Sequence, residues 1–246
     1  MVPQPRSIRI PHPPAARTLA CWCLPTSPAA LETVRPWLTG RDRQCAKRYR
    51  NSLRRRSFLI GSGLLRWVLG QHFSMPPHRI ALERPPNRRP RHRTGGWLVT
   101  CALAVTHSRN WVLVGVLPRA ALGWRLGIDA EDKGRSPMPS LNERLPWPDA
   151  VAAPYLLRRW TITEAALKAD GRGLPALARL QLAGGTDQGW RLSTEAVSVA
   201  SAPLSKVPFV PGVQLAIAVG RRRTDQRVDR DHVAAAGGNA DRRQTA

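Results

Sequence analysis

The sequence is short of acidic and aromatic residues, and it contains no apolar run long enough to cross a bilayer. Of its 246 residues only 16 are Asp or Glu, whereas 39 are Lys or Arg, most of them Arg, so the formal net charge is +23. A field of this sign attracts phosphates, nucleic acid or an acidic protein. Aromatic residues make up only 6%, and no zinc-finger, RNA-recognition or basic-zipper pattern is present. The charge alone therefore does not identify a nucleic-acid-binding module.

Cysteine is scarce as well, and the four cysteines do not form a metal-binding pattern. Cys21 and Cys23 are separated by one residue, and no second close pair follows. We interpret the cysteines as small buried apolar side chains in a reduced protein. Because the Pro-rich start lacks the continuous apolar segment of a signal peptide, we expect a cytoplasmic protein that does not enter a membrane.

The hydrophobic pattern divides the chain into a lead-in, two α+β halves and a tail. Residues 1–17 are predicted to be a flexible Pro-rich lead-in, and residues 221–246 a disordered tail. Between them we predict an N-terminal half over 18–118 and a C-terminal half over 119–220. Each half is expected to be a small, mainly antiparallel sheet packed with a long helix.

Each half contains one long helical pattern. Apolar residues recur at helical spacing over 41–70 with a break near Asn51, which predicts either two helices or one broken helix. A second helix is predicted over about 150–169, where glycines end it. Short strand-like runs fill most of the remainder, and the stretch with Pro25 and Pro28 is predicted to be a loop.

Two acidic residues lie on a predicted strand that reads G-I-D-A-E. Side chains alternate along a strand, so Asp129 and Glu131 project from the same face. Two carboxylates this close repel each other unless a proton or a cation lies between them, and magnesium prefers carboxylate oxygens together with water and phosphate oxygens. The alternative is an acidic pair on a solvated strand end.

The second predicted helix carries three functional candidates on one face. Trp160, Glu164 and Lys168 follow one another at intervals of four residues. Glu164 is a candidate third metal carboxylate, and Lys168 is a candidate partner of a phosphate or of a leaving group. The alternative is a surface Glu–Lys pair beside a packing Trp.

Two further segments offer groups that bind phosphate. Thr106-His107-Ser108 follows a predicted strand, where a histidine beside hydroxyls can bind phosphate or take part in acid–base chemistry; the alternative is an ordinary turn histidine. Asn87-Arg88-Arg89-Pro90 lies in a basic loop that is either a phosphate clamp or a solvated segment.

The order and spacing of these segments resemble the 4′-phosphopantetheinyl transferases of the surfactin-synthetase-activating type. That family typically shows G-K-P, S-H-S, G-(I/V)-D-x-E and W-(S/T)-x-K-E-(A/S)-x-x-K-x-x-G-x-G in this order. The corresponding segments here are N-R-R-P, T-H-S, G-I-D-A-E and W-T-I-T-E-A-A-L-K-A-D-G-R-G, and the resemblance covers about residues 18–220. The last two motifs are specific in combination, whereas the first two are weak singly.

The resemblance implies roles for particular residues and a fold. Asp129, Glu131 and Glu164 are expected to hold Mg²⁺ against the pyrophosphate of coenzyme A. Glu164 and Lys168 are the implied catalytic residues. The implied coenzyme A contacts are Arg43 (or another arginine of 41–48), Arg89, Thr106, His107 and Lys168. The expected fold is a pseudodimer of the two α+β halves, with coenzyme A in the cleft between them.

The implied reaction moves the 4′-phosphopantetheine group from coenzyme A to a serine of an acyl or peptidyl carrier protein and releases adenosine 3′,5′-bisphosphate. Carriers of this family are typically acidic, which suits the positive charge of the chain, and a pseudodimer predicts an active monomer. Two alternatives stay open, a basic nucleic-acid-binding protein and an inactive homologue that only binds the carrier. The second is kept open by Thr163, which replaces the Lys that usually precedes the metal Glu.

Overall fold

Two long helices and two antiparallel sheets form most of the described fold. A computed structural model describes residues 3–12, 17–83, 91–94, 97–98, 101–117, 124–134, 153–171, 173–186, 189–193, 197–203 and 212–222. Within these ranges the α-helices are α1 (Pro28–Val34), α2 (Gly40–Ala46), α3 (Ser52–Phe73) and α4 (Ala153–Asp170). The strands are β1 (Arg6–His12), β2 (Arg17–Pro25), β3 (Ala81–Glu83), β4 (Arg91–Thr94), β5 (Trp97–Leu98), β6 (Ala102–His107), β7 (Trp111–Leu117), β8 (Trp124–Asp132), β9 (Gln181–Thr186), β10 (Gly189–Ser193), β11 (Val197–Pro203) and β12 (Val213–Arg222). None of the helices in these ranges is long and apolar enough to span a membrane, and the cytoplasmic location stays a prediction.

The N-terminal half contains a four-stranded antiparallel sheet with the order β1-β2-β7-β6, and a small sheet with the order β3-β4-β5. Strand β1 corrects the prediction of a flexible lead-in over residues 1–17, because residues 6–12 pair with residues 17–23 of β2. Pro11 does not prevent this pairing, since one side of an edge strand needs no hydrogen-bond partner.

The C-terminal half contains a five-stranded antiparallel sheet with the order β8-β12-β11-β10-β9. The two halves share a strand order. In each, the strand that precedes the long helix pairs with the last strand, which pairs in turn with the penultimate one, giving β2-β7-β6 and β8-β12-β11. The α+β class with small antiparallel sheets is thereby confirmed, whereas the pseudodimer stays a prediction. Residues 118–123 and residues 223–246 of the predicted tail lie outside the described residues; Arg221 and Arg222 belong to β12.

The two sheets pack face to face between α3 and α4, which gives four layers. Successive side chains of β7 point to opposite faces: Val112 and Val114 pack with α3, whereas Leu113 and Leu117 pack with β8 and β12. One buried apolar cluster therefore contains side chains of both halves. Removing this shared surface from water stabilises the two halves as one body.

Capping residues explain where the N-terminal helices begin. The break predicted near Asn51 separates α2 from α3, and the Asn51 side chain caps α3 by accepting the backbone N–H of Arg54 at 2.9 Å. The stretch with Pro28 was predicted to be a loop, and this was wrong, since it forms α1. Ser27 caps α1 and Pro28 occupies its first position, where a missing N–H costs no hydrogen bond.

The cysteines bear out their interpretation where they are buried. All four are free, and Cys21 and Cys23 lie in the core on β2. Burial raises the pKa of each of these two thiols to about 12. They therefore remain protonated and act as small apolar side chains.

Helix α4 lies very close to β8 at Gly127. A Cβ atom at this position would lie 1.9 Å from the carbonyl oxygen of Ala165 and 2.5 Å from the backbone nitrogen of Ala169. Only glycine permits this approach, because any other side chain would collide with the helix backbone. The contact brings the face of α4 that carries Glu164 and Lys168 over the strand with the acidic pair.

A buried ion pair joins α2 to α3. Nε of Arg66 donates to Oδ2 of Asp42 at 2.8 Å, and the two side chains are only 4% and 3% exposed. The guanidinium also donates to the carbonyl oxygen of Ile80 and, at 3.2 Å, to the hydroxyl of Thr39. Thr39 and Asp42 form a capping box at the start of α2. Each buried charge thus depends on partners that the other elements supply.

We expect Arg66→Met to lower the free energy of unfolding by about 3–5 kcal/mol, because methionine fills much of the space but leaves the Asp42 carboxylate buried without its cation. Urea-induced unfolding of the two proteins measures the difference. Glu32→Gln is the control, since Glu32 forms an exposed pair with Arg35 and its loss should change stability by less than about 1 kcal/mol. Equal effects of the two substitutions would contradict the assignment.

The same pair predicts an acid-dependent part of the stability. Burial raises the pKa of Asp42, but hydrogen bonds from Thr39 and Arg66 outweigh it, so the folded-state pKa lies below the ordinary value. Such a carboxyl stabilises the fold above its unfolded-state pKa, and the contribution disappears as the pH falls through the folded-state pKa. We expect Asp42→Asn to reduce this acidic loss of unfolding free energy, measured by urea unfolding at a series of acidic pH values. An unchanged pH dependence would argue against it.

Candidate functional site

Three carboxylates from two elements converge at one point of the fold. Asp129 and Glu131 lie on β8, and Glu164 lies on α4. One oxygen of each carboxylate lies within 4.8 Å of the other two. Asp129 and Glu131 are only 3% and 8% exposed, so these groups are not the solvated strand end of the alternative interpretation. Their role as metal ligands stays a prediction.

The ammonium group of Lys168 lies among these carboxylates. Its Nζ atom is 2.5 Å from Oδ1 of Asp129 and 3.3 Å from Oε1 of Glu164. It also donates to the hydroxyl of Thr106 at 3.3 Å. Burial lowers the pKa of Lys168, but Asp129 and Glu164 outweigh it and raise the pKa above its ordinary value. Lys168 is therefore a fixed positive charge on α4.

The pKa of Glu164 lies above its ordinary value. Burial raises its pKa, and the negative charges of Asp129 and Glu131 add to the increase, while Lys168 partly offsets it. A carboxylate with a raised pKa accepts a proton more readily than an exposed glutamate does. Such perturbed groups in a cleft are typical of functional sites.

Trp160 supports the site one turn before Glu164. Its indole Nε1 donates to Oε1 of Glu131 at 3.3 Å. Because the ring is partly buried on α4, this bond fixes the direction in which the Glu131 carboxylate points. The residue is thus more than a packing Trp beside a surface ion pair.

We call Asp129, Glu131 and Glu164 together the acidic group. Thr106 and His107 lie beside it, at the end of β6. The Thr106 hydroxyl is buried and lies 3.3 Å from Oδ1 of Asp129, to which it donates. His107 lines the adjoining cavity. Partial loss of water lowers the pKa of His107, and the positive charges of Lys168 and Arg54 lower it further. Its imidazole therefore favours the neutral form, which both donates and accepts a hydrogen bond.

A cavity of about 1020 Å³ opens between the two halves at this point. The N-terminal half contributes the start of α3 and the turn after β6, and the C-terminal half contributes the end of β8 and α4. The lining residues are Leu53, Arg54, Ser57, His107, Ser108, Arg109, Asn110, Asp129, Glu131, Asp132, Gly134, Trp160, Glu164, Leu174 and Gly212. The carboxylates therefore face a space that both halves enclose.

The two predicted arginine contacts are not among these lining residues. Arg43 is exposed on α2, where its Nη2 atom lies 3.5 Å from the carbonyl oxygen of Arg35. Arg89 lies outside the described residues. Arg54, at the start of α3, lines the cavity. The many arginines of this stretch gave the sequence no signal that singled out Arg54.

Two other polar residues of the cavity wall are Asp132, for which the sequence predicted no role, and Ser108, which was predicted only as a hydroxyl beside His107. Oδ2 of Asp132 accepts the backbone N–H of Arg109 at 2.8 Å. The hydroxyl of Ser108 is buried and has no hydrogen-bond partner in the described part of the chain. For Asp132, the available signal was its position directly after the D-A-E motif.

The acidic group suits a divalent cation. With every group ionised, Asp129, Glu131 and Glu164 carry three negative charges against the single positive charge of Lys168. Oδ2 of Asp129 is buried and has no hydrogen-bond partner among the described residues, although buried carboxylate oxygens normally have one. Convergent carboxylate oxygens beside a cavity that can hold water or phosphate match the preferences of Mg²⁺.

Comparison with known proteins gives two relatives. The 4′-phosphopantetheinyl transferase psf-1 of Bacillus pumilus is 25% identical over 154 residues, which cover 58% of this chain and 62% of psf-1. The 4′-phosphopantetheinyl transferase HetI of Nostoc sp. is 27% identical over 195 residues, which cover 71% of this chain and 79% of HetI. The chain thus spans less than two thirds of psf-1, and no protein-family model matches it. These two similarities confirm the resemblance of the chain to the 4′-phosphopantetheinyl transferase superfamily.

Proposed function

We propose that the chain is a magnesium-dependent transferase of the surfactin-synthetase-activating type, which moves the 4′-phosphopantetheine group from coenzyme A to a serine of a carrier protein. The observation that carries the proposal is the convergence of Asp129, Glu131 and Glu164 beside a cavity between the halves. The names of the two relatives support the same reaction class.

The metal site of the proposal consists of the three carboxylates. Bound Mg²⁺ would neutralise charge on the pyrophosphate and on the departing oxygen. Asp129 offers its unpartnered Oδ2 atom for this role. Glu131 is held in place by the indole of Trp160, and Glu164 reaches the same point from α4.

The chain's own side chains supply the proton transfer and a positive charge. The serine hydroxyl of the carrier attacks the β-phosphorus atom, and its proton passes, directly or through a water, to the Glu164 carboxylate, which lines the cavity. The new Ser–O–P bond forms as the bond from phosphorus to the bridging oxygen breaks. Adenosine 3′,5′-bisphosphate departs with that oxygen, and the Lys168 ammonium stabilises its growing negative charge.

The phosphates of coenzyme A are assigned to the N-terminal wall of the cavity. His107 and Thr106 retain the roles that the motif implies, and Arg54 is one of the two arginines, with Arg109, that line the cavity within the described residues. We therefore propose Arg54, rather than Arg43, as the first candidate for the nucleotide 3′-phosphate. The start of α3 adds the partial positive charge of a helix N-terminus. Arg89 keeps its proposed role on the motif alone.

The proposed protein partner is acidic. Helix α2 and the start of α3 present a row of exposed cationic side chains, namely Arg41, Arg43, Lys47, Arg48, Arg50, Arg54 and Arg55. The only acidic residue between positions 40 and 55 is Asp42, which is buried against Arg66. A negatively charged carrier would approach this face faster, and the gain would shrink with added salt.

We also propose that one chain contains the complete site, as a pseudodimer of its two halves. The shared strand order of the two sheets supports this interpretation, because duplication of one α+β unit would give both halves the same strand order. All three carboxylates and both cavity walls come from the same chain. An active monomer is the consequence.

Incubation with coenzyme A, MgCl₂ and an apo carrier protein tests the proposal. The carrier should gain the mass of one phosphopantetheine group, as measured by intact-protein mass spectrometry. We expect Asp129→Asn to lower the rate about a hundredfold or more, because it removes one charge from the metal site at nearly constant size. Glu32→Gln, an exposed change of the same kind on α1, should retain the rate.

Three outcomes would contradict the proposal or a part of it. If no carrier in a panel of acyl and peptidyl carriers gains mass, the chain is not a transferase for these substrates, and an inactive carrier-binding homologue is favoured. Tight, salt-sensitive binding to random duplex DNA without any turnover would favour the nucleic-acid-binding alternative. Full activity of Asp129→Asn would remove this carboxylate from the metal site.

Trp160→Phe tests how Glu131 is held. Phenylalanine keeps most of the packing on α4 but has no N–H to donate to Glu131. We expect the Mg²⁺ concentration for half-maximal rate to rise about tenfold, as is typical when the hydrogen-bond partner of a metal ligand is lost. Trp37→Phe is the matched control. Trp37 stacks on Trp67 and is far in sequence from the acidic group. An unchanged Mg²⁺ requirement in Trp160→Phe would show that the indole bond does not orient the carboxylate.

A further inference from the structure

A hydrogen bond from the C-terminal half holds the turn between β6 and β7. Oδ2 of Asp132, the last residue of β8, accepts the backbone N–H of Arg109 at 2.8 Å. Arg109 belongs to the N-terminal half, so the bond crosses the cleft. Both residues line the cavity.

A second bond, between two side chains, joins the two halves three residues earlier on both elements. Thr106 donates to Oδ1 of Asp129 at 3.3 Å. The two bonds thus join positions 106 and 109 of one half to positions 129 and 132 of the other. His107 and Ser108 lie between them along the chain, and both line the cavity.

The other described bonds of this turn stay within the N-terminal half. Ser108 donates its backbone N–H to the carbonyl oxygen of Trp111 at 2.9 Å, and Thr26 donates its N–H to that of Asn110 at 2.7 Å. These bonds give the turn its shape and tie it to β2. They do not reach β8, whereas the Asp132 bond joins Arg109 to it, in addition to the Thr106–Asp129 bond at the end of β6.

We propose that Asp132 is a positioning residue, which keeps the His107–Ser108 segment at a fixed distance from the acidic group. Asp132 acts through the backbone of Arg109 rather than through contact with the reacting atoms. The expected consequence for substrate rests on the proposed function, because it assumes that this segment contacts the phosphates of coenzyme A. A segment that is free to move away from β8 binds those phosphates more weakly.

Asp132→Ala and Asp132→Asn separate the hydrogen bond from the charge. Alanine removes the acceptor, whereas asparagine keeps an acceptor oxygen but loses the charge. We expect Asp132→Ala to raise the KM for coenzyme A about fivefold, the loss typical of one hydrogen bond, with kcat within about twofold of the parent value. Asp132→Asn should restore the parent KM. An unchanged KM in Asp132→Ala, or equal losses in the two variants, would overturn the proposal.

Amide hydrogen exchange of the full-length chain tests the bond without relying on activity. The Arg109 amide should exchange faster in Asp132→Ala but not in Asp132→Asn, while amides of the β7 core remain protected. Parent-like exchange of Arg109 in Asp132→Ala would refute the bond itself. If the parent chain transfers no phosphopantetheine but the Arg109 amide exchanges as expected in the variants, the proposed function is wrong and the Asp132–Arg109 hydrogen bond is confirmed. Should Asp132→Ala not fold, Asp132→Val, which suits a strand end, replaces it.

Discussion

The contact between α4 and β8 at Gly127 is the constraint on which the candidate site depends. Because no Cβ atom fits there, the helix backbone rests directly on the strand. Asp129 is the next residue of β8 on the same face, and Glu164 and Lys168 lie on the helix turns next to the contact. A larger residue at position 127 would push α4 away from β8, and this would separate Glu164 from Asp129 and Glu131 and stretch the Lys168–Asp129 and Trp160–Glu131 contacts. Packing of two backbones thus sets the electrostatics of the site.

The site combines a local excess of negative charge with a strongly positive protein. The net charge of +23 draws phosphates and acidic partners toward the molecule over the range of a Debye length. At the end of that approach, Asp129, Glu131 and Glu164 would repel the same phosphates. Lys168 offsets only part of this repulsion, and the divalent cation of the proposed function would remove the rest. Under the proposed function, the long-range field would attract anionic partners, and the short-range field would select an anion that is bound to the metal.

The sequence was sufficient for features whose physical cause is local. Alternation on a strand placed Asp129 and Glu131 on one face, and the interval of four placed Trp160 near Glu164, but only the tertiary contact at Gly127 could show that these faces meet. Helix α1 was missed because Pro28 was taken as a breaker, although the Ser27 cap makes it a helix start. Strand β1 was missed because its partner, β2, lies outside the segment itself. Asp132 and Arg54 gained meaning only from the cavity that the two halves enclose.

Each half contributes different residues to the candidate site, so the packing of the halves against each other determines the geometry of the site. The carboxylates come from the C-terminal half, whereas Thr106 and His107 come from the N-terminal half, so neither half contains the site alone. At Gly115 of β7, a Cβ atom would lie 2.1 Å from Cδ1 of Ile128, which shows how closely the two sheets approach. A substitution that widened this contact would move the T-H-S turn away from the acidic group while leaving each sheet intact. Loss of function at such a position would therefore precede loss of secondary structure, because the site depends on the distance between the two sheets, whereas the ladder hydrogen bonds of each sheet lie within that sheet.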